Sequence, residues 1–240
     1  SVLNSKNAQK AIVLTAGPAF TSKWLAPHLS DFKALQPSIS IEMQASLAIH
    51  DFRQSGIDVA IRFGRQPSLP LDNMFSIPLV EDAVVPVVSP AFIEKFGRVL
   101  QPEDLSHCEL IHDRSLSMIH SESPDWSYWF EQVGIENINS TRGLFFNHAD
   151  HAIQAAVDGA GVALVRVILA TRDIKAGRLV IPFGPILPSG FTFYVLSRSD
   201  NPKHTEIELF TDWITEVMKR DIVEISQREN GDAISNLLKM

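Results

Sequence analysis

"AIVLTAGPAFTSKWLAPHLSDFKALQPSISIEMQA", residues 11–45, decides the fold class. Its first six residues are a short β-prone run, and after them Leu25, Leu29, Phe32 and Leu35 recur at the spacing of one helical face. Thr21 or Ser22 is placed to cap that helix, Pro27 falls in or just past its first turn, and Pro37 ends it. Residues 38–45 then alternate Ile39, Ile41 and Met43 with polar neighbours, the period of a half-buried strand. Strand, helix, strand predicts a crossover connection in a largely parallel sheet.

The alternation continues outward. A short helix over 50–56, stopped by Gly56, leads to a third strand over 57–64. The segment 74–90, "MFSIPLVEDAVVPVVSP", is too long and too β-branched for one ordinary strand, and Pro78 and Pro86 sit awkwardly in a sheet centre, so it is expected to bridge two lobes. Helical turns follow at 91–97 and 102–107, a strand at 108–113, a helix at 126–134 stopped by Gly134, and a strand at 142–147. The next helix carries Ile153, Ala156 and Val157 on one stripe and ends at Gly159 and Gly161. Then come a strand at 162–165, a helix at 167–177, and a strand over "RLVIPF", 178–183. The Pro- and Gly-rich run 182–190 marks the second crossing between lobes, before a strand at 191–197 and a helix that places Ile207, Phe210, Trp213, Ile214 and Val217 on one face. The expected organisation is α/β: residues 10–81 with 188–220 as one lobe, 82–187 as the other, and 221–240 as a polar C-terminal extension.

Composition narrows the function classes. A formal net charge of -7 offers no general attraction to phosphate backbones or anionic membranes. Cys108 is the single cysteine, so no intrachain disulfide can form; it reads as a small buried apolar residue, and the reducing cytosol is the expected compartment. No apolar run approaches the roughly 18 residues of a membrane span, and "SVLNSKNAQK" at the start lacks the apolar core of a signal peptide and reads as a cut end or linker.

Chemistry-bearing residues are densest in "NHADH", 147–151. His148 and His151 with Asp150 have the spacing of a metal site, and His148 with Asp150 could share a proton. No second ligand cluster or nucleophile elbow accompanies them, so neither a metal nor catalysis is expected. Two readings stay open: helix capping by Asn147 or Asp150, and ligand contact by Asn147 or His148 at a helix N-terminus. "DGAGV" contains only G-x-G and does not make a dinucleotide fingerprint. Trp126 and Trp129 read as core or lobe-surface anchors.

Five stretches in order, "FTSKWLAPHLSDFKALQPSISIEM", "GIDVAIRFG", "PVVSPAFIEKFGRVLQPEDLSHCELIH", "AAVDGAGVALV" and "GRLVIPF", resemble the effector-binding domain of LysR-type transcriptional regulators, closest to the glycine-cleavage-activator-like branch. The resemblance implies two Rossmann-like subdomains joined by two crossover segments, similar to periplasmic binding proteins, with a small effector in the cleft. It also implies a homodimer or homotetramer, no cofactor, and DNA contact only through a winged helix-turn-helix that does not stand in this sequence. In open α/β sheets ligands bind beyond the carboxyl ends of the strands. The expected effector contacts are therefore Pro18, Ala19, Phe20, Thr21 and Ser22 after the first strand, Ser46 and Leu47 after the second, and Arg62 and Phe63 after the third. Asn147, His148, Arg166 and Phe193 complete the set. Where the family often has a polar residue, Ala19 and Phe20 suggest an apolar wall. Arg62 and Arg166 would favour an anionic effector, with an internal salt bridge from Arg62 to an acid such as Asp82 as the competing reading. A periplasmic solute-binding protein of a transporter is the alternative on the same plan.

Overall fold

The computed structural model describes residues 11–48, 52, 54–65, 73–98, 100–115, 117 and 123–228. In chain order the elements are β1 (Ala11–Ala16), α1 (Pro18–Leu35), β2 (Ser40–Ala45), β3 (Val59–Gly64), β4 (Met74–Val87), α2 (Pro90–Phe96), β5 (Leu110–Asp113), α3 (Trp126–Val133), β6 (Leu144–Phe146), α4 (Ala149–Val157), β7 (Val162–Arg166), α5 (Val167–Lys175), β8 (Leu187–Arg198) and α6 (His204–Arg228). The chain divides into unit 1, Ser1–Glu81 with Gly190–Arg220, and unit 2, Asp82–Ser189 with Asp221–Met240. The helix expected over 50–56 includes residues 50, 51 and 53, which lie outside the described residues.

In unit 1 the strand order is β2-β1-β3-β8. β1 runs parallel to β2 from Ala11↔Ser40 to Ala16↔Ala45 and parallel to β3 at Leu14↔Val59, while β8 is antiparallel to β3. Helix α1 starts earlier than the sequence suggests: an α turn at Pro18–Phe20 passes into a π-helical turn at Thr21–Leu25 and then the regular segment Ala26–Leu35. Gly17 holds the N-cap position and no side chain caps it. Thr21 and Ser22 therefore lie inside the helix, and the Ser22 hydroxyl donates to the Ala19 carbonyl at 3.2 Å. The wide turn suits Pro27, which has no N–H and crowds the carbonyl four residues back; the Ala26 amide reaches five residues back to Thr21. Leu25 and Phe32 are buried, but Leu35 is 66% exposed, so the apolar stripe ends at Phe32.

Unit 1 is drawn together at Asp58. Its carboxylate accepts from the Val13 amide at 2.8 Å, from Lys203 Nζ at 2.7 Å and from Asn201 Nδ2 at 3.1 Å. Its carbonyl accepts from the Ser197 hydroxyl at 2.7 Å. The apolar face of α6 then packs Phe210 and Trp213 against Phe32 of α1 at 5.4 and 5.1 Å between ring centroids.

In unit 2 the order is β4-β7-β5-β6, with β5 parallel to both β6 and β7 and β4 antiparallel to β7. The core joins Leu110, Val162 and Leu164 to Trp126, Trp129 and Phe130 of α3 and to Cys108. Each buried indole finds an acceptor: Trp126 Nε1 donates to the Ile111 carbonyl and Trp129 Nε1 to that of Pro185, both at 3.1 Å. Gly161 does more than follow a helix. A Cβ there would stand 2.2 Å from the Glu109 carbonyl oxygen, where β7 begins beside the start of β5, so no larger residue fits.

Three sequence expectations change. Residues 74–87 form one strand of 14 residues that passes through Pro78 and Pro86, and the division between units falls inside it. "RLVIPF" is not a strand: Leu179, Val180 and Ile181 are buried, yet Val180 makes only an isolated bridge with Val88, because an apolar run can fill a core without joining a ladder. Residues 221–228 continue α6 without a break and count with unit 2, where Lys175 pairs with Asp221 at 2.8 Å and Glu224 at 2.5 Å.

Replacing Asp58 by alanine strands the Lys203 ammonium and the Val13 amide at once. Urea unfolding of Asp58→Ala is expected to show a loss of about 3 kcal/mol, the scale of breaking a largely buried ion pair. An unchanged midpoint would show that the knot is incidental to unit 1.

Candidate functional site

At the strand ends of unit 1 the chain brings two loops together. Leu47 approaches Gly17 so closely that a Cβ on the glycine would lie 3.0 Å from the leucine methyl, and the Ser46 amide donates to the Ala16 carbonyl at 2.8 Å. Ser46 Oγ accepts from the Ala48 amide, which shapes the loop. Arg62 reaches over the same ends. Its guanidinium donates to the carbonyls of Thr15 at 3.2 Å, Ile61 at 2.9 Å and Ala48 at 3.0 Å, and burial lowers its proton affinity. Within unit 1, among the described residues, its hydrogen-bond partners are these three main-chain carbonyls and no acid.

The aromatic residues of the expected site form a cluster. Phe20 packs on Trp24 at 5.4 Å and on Phe193 at 4.8 Å, and Phe63 lies 4.5 Å from Phe193. Phe20 and Phe193 are buried, Phe63 is half-buried, Pro18, Ala19 and Thr21 are half-buried, and Ser22 and Leu47 are exposed. Thr21 turns its hydroxyl towards the Met43 sulfur at 3.9 Å.

In unit 2 the expected residues spread over two helix starts. His148, not Asn147 or Asp150, occupies the N-cap position of α4, and it makes no side-chain cap bond. Asn147, His148 and His151 are exposed, and the two imidazoles lie 5.2 Å apart. Asp150 in the first turn encloses Oδ1 without a hydrogen-bond partner among the described residues. Arg166 holds the N-cap position of α5 and is buried, 3.7 Å from the Asp113 carboxylate and 3.4 Å from the Ser115 hydroxyl.

Asp82 is the residue the sequence reading underused. Buried on β4, it accepts from the Ala83 amide at 2.8 Å and from the Ile168 amide at 3.2 Å, so a carboxyl from a neighbouring strand caps α5. Burial pushes its pKa up to about 6, against the opposing pull of Arg166 and the two amides. Cys108 is inert as a nucleophile: burial raises its thiol to about 11. Among the described residues no group of three or more His, Cys, Asp or Glu side chains is placed to hold a metal ion, and no helix is long and apolar enough to cross a membrane.

Two α/β units, each with parallel strands whose carboxyl ends face helix starts, define the class of folds built like periplasmic binding proteins. The solved effector domain of the transcriptional regulator AmpR of Pseudomonas aeruginosa has the same fold, with a TM-score of 0.66 at 23% identity over 91% of this chain and 98% of that one. The family model described as LysR substrate binding domain matches residues 5–219, and the chain belongs to that family. It is 33% identical over 214 residues to the glycine cleavage system transcriptional activator of Escherichia coli (strain K12), covering 88% of this chain and 66% of the relative's length. To the HTH-type transcriptional regulator DsdC of the same organism it is 30% identical over 220 residues, 91% of this chain and 70% of that protein.

Two substitutions test this geometry. Arg62→Ala leaves three carbonyls without their charged donor and is expected to cost about 2 kcal/mol in urea unfolding; an unshifted midpoint would free the guanidinium for a ligand. For Asp82 the sign follows from a raised native pKa. Below the unfolded value of 3.8 the group is protonated in both states and its contribution is full; as pH rises to about 6 the unfolded chain gains by ionising and native stability falls, by about 3 kcal/mol at most. The stability of Asp82→Asn relative to the parent should therefore climb between about pH 4 and pH 7. Parallel stability profiles for the two proteins would refute the assignment.

Proposed function

We propose that this chain is the ligand-sensing part of a LysR-type transcriptional regulator, which binds a small effector and passes the event on as a change in its oligomer, a homodimer or homotetramer. The observation that carries the reading is the family match over residues 5–219 on a fold whose strand ends meet uncapped helix starts. The chain spans 66% of the length of the glycine cleavage activator, so DNA reading is assigned to a part of the full-length protein outside this sequence. An acidic chain of net charge -7 suits that division of labour. The family match also sets the transporter alternative aside.

The proposed effector contacts are, in unit 1, Pro18, Ala19, Phe20, Thr21, Ser22, Ser46, Leu47, Arg62, Phe63 and Phe193, and in unit 2, Asn147, His148 and Arg166. An anionic effector is proposed on the amides of α1. Pro18 has no N–H, Thr21 already donates to the Gly17 carbonyl at 2.9 Å, and the Ala19 and Phe20 amides at this helix start have no intrahelical acceptor. Neither arginine is needed for the charge preference, since Arg62 serves carbonyls and Arg166 faces Asp113. An effector shifts the oligomer only by its differential affinity for the two arrangements.

A thermal-shift screen of small carboxylates, each beside its neutral amide, tests this directly. A cognate carboxylate at 100 times its dissociation constant adds about 2.7 kcal/mol of stability, and its amide should add far less. A screen in which amides stabilise as well as acids would remove the anionic effector, and one in which nothing stabilises would count against the sensing role.

A further inference from the structure

Unit 2 contains a cavity of about 110 Å³ that none of Asn147, His148 and Arg166 lines. Its floor is made of three cross-strand neighbours, His112 on β5, Phe145 on β6 and Leu164 on β7, which share one face of the sheet through the registers His112↔Phe145 and His112↔Leu164. The imidazole stacks on the Phe145 ring at 4.3 Å. Polar groups form the walls. Ser127 and Ser140 share a hydrogen bond of 2.8 Å, and Asp113 and Asp125 line the same cavity, each with one carboxylate oxygen accepting from a main-chain amide, of Ser115 and Tyr128.

His112 is 8% exposed, yet only one of its ring nitrogens is engaged. Nε2 stands 2.8 Å from the Arg142 carbonyl, and a carbonyl can only accept, so Nε2 carries the proton. This contact also fixes the ring against a flip. Burial holds the imidazole below its ordinary pKa, with Arg114 adding to the effect and the Arg142 carbonyl, Asp125 and Glu109 opposing it, so the ring is neutral at pH 7 and Nδ1 keeps its lone pair. Among the described residues Nδ1 has no partner, and the protein does not fully enclose it. An acceptor on a buried ring, left unpaired by the protein at the floor of an open cavity, is an atom placed for something that enters.

We propose that this cavity is a small-molecule site belonging to unit 2 alone, and that its ligand is a small amine or polyol that donates an N–H or O–H to His112 Nδ1. The chemistry follows from the lining. Nδ1 and the two carboxylates only accept, so an entering molecule must bring donors, and an acceptor-only anion meets lone pairs. Among the described residues the one guanidinium on the lining, that of Arg114, is drawn over the Phe145 ring with its centre 3.9 Å from the centroid. The wall hydroxyls can turn to meet either partner of a second hydrogen bond. The site is independent of the effector reading, since its lining shares none of the residues proposed for the effector.

The test is a titration of histidine- and tryptophan-¹⁵N-labelled protein with ethanolamine, glycerol and acetate, followed by NMR at His112 Nδ1 and at the Trp126 indole, which lines the cavity while donating to the Ile111 carbonyl. Ethanolamine or glycerol should move both signals saturably, and acetate should move neither. His112→Gln keeps a side-chain N–H for the Arg142 carbonyl but removes the Nδ1 acceptor, so the Trp126 response to the donor probe should weaken about tenfold. No saturable response to either donor, an equal response to acetate, or unchanged binding by His112→Gln would each overturn the site. Should that variant fail to fold, the contrast among the three probes on the unaltered protein decides the matter.

Discussion

Unit 1 is assembled from two stretches of chain far apart in sequence, and the buried carboxylate of Asp58 is what closes it. Asp58 accepts four hydrogen bonds through its carboxylate and carbonyl, and three of them, from Ser197, Asn201 and Lys203, span 139 to 145 residues. Closing loops of that length costs more entropy than a single neutral hydrogen bond returns, so the contacts must cooperate. They do so because one residue serves both sides: its carboxylate takes the Val13 amide of β1, and its carbonyl takes the Ser197 hydroxyl of β8. Once Asn201 and Lys203 are held, α6 begins at His204 in the right place for Phe210 and Trp213 to reach Phe32.

Much of this fold was legible in the sequence because its elements bury one face each. The β-prone run "AIVLTA", the alternation of "SISIEMQA", the glycine stop after α3 and the apolar face of α6 all carried through to the structure. Legibility failed where burial and hydrogen bonding part company. "RLVIPF" is apolar for the core and not for a ladder, and β4 runs on through two prolines, each lacking an N–H to give a ladder. The π-helical turn ahead of Pro27 was hidden for a related reason: the pattern fixed which residues face inward but not how many lie in a turn.

The site was less legible than the fold, since a charge in a sequence declares its sign and not its partner. The guanidinium of Arg62 donates to three main-chain carbonyls, which no residue pattern announces. Asp82 was considered as the acid for Arg62 and instead caps α5 near Arg166. His112 left a fainter trace. It stands in "CELIHD" at a position that alternates with Leu110 on the core face, and a lone polar residue in such a place is the signal that could have marked it.

Helix starts at strand ends look equivalent in sequence, but their occupants differ. At α5 the Ile168 amide is already taken by Asp82, so the protein supplies its own anion. At α4 the first turn carries Asp150, whose negative charge opposes a second one nearby. At α1 no acidic residue stands in the first turn, the N-cap is a glycine, and no side chain caps it. The electrostatics that looked shared among several loops therefore concentrate at α1. The loop carrying Ser46 and Leu47 is held beside that helix start by the contacts of Arg62 with the Thr15 and Ala48 carbonyls, so the guanidinium shapes the ground next to α1.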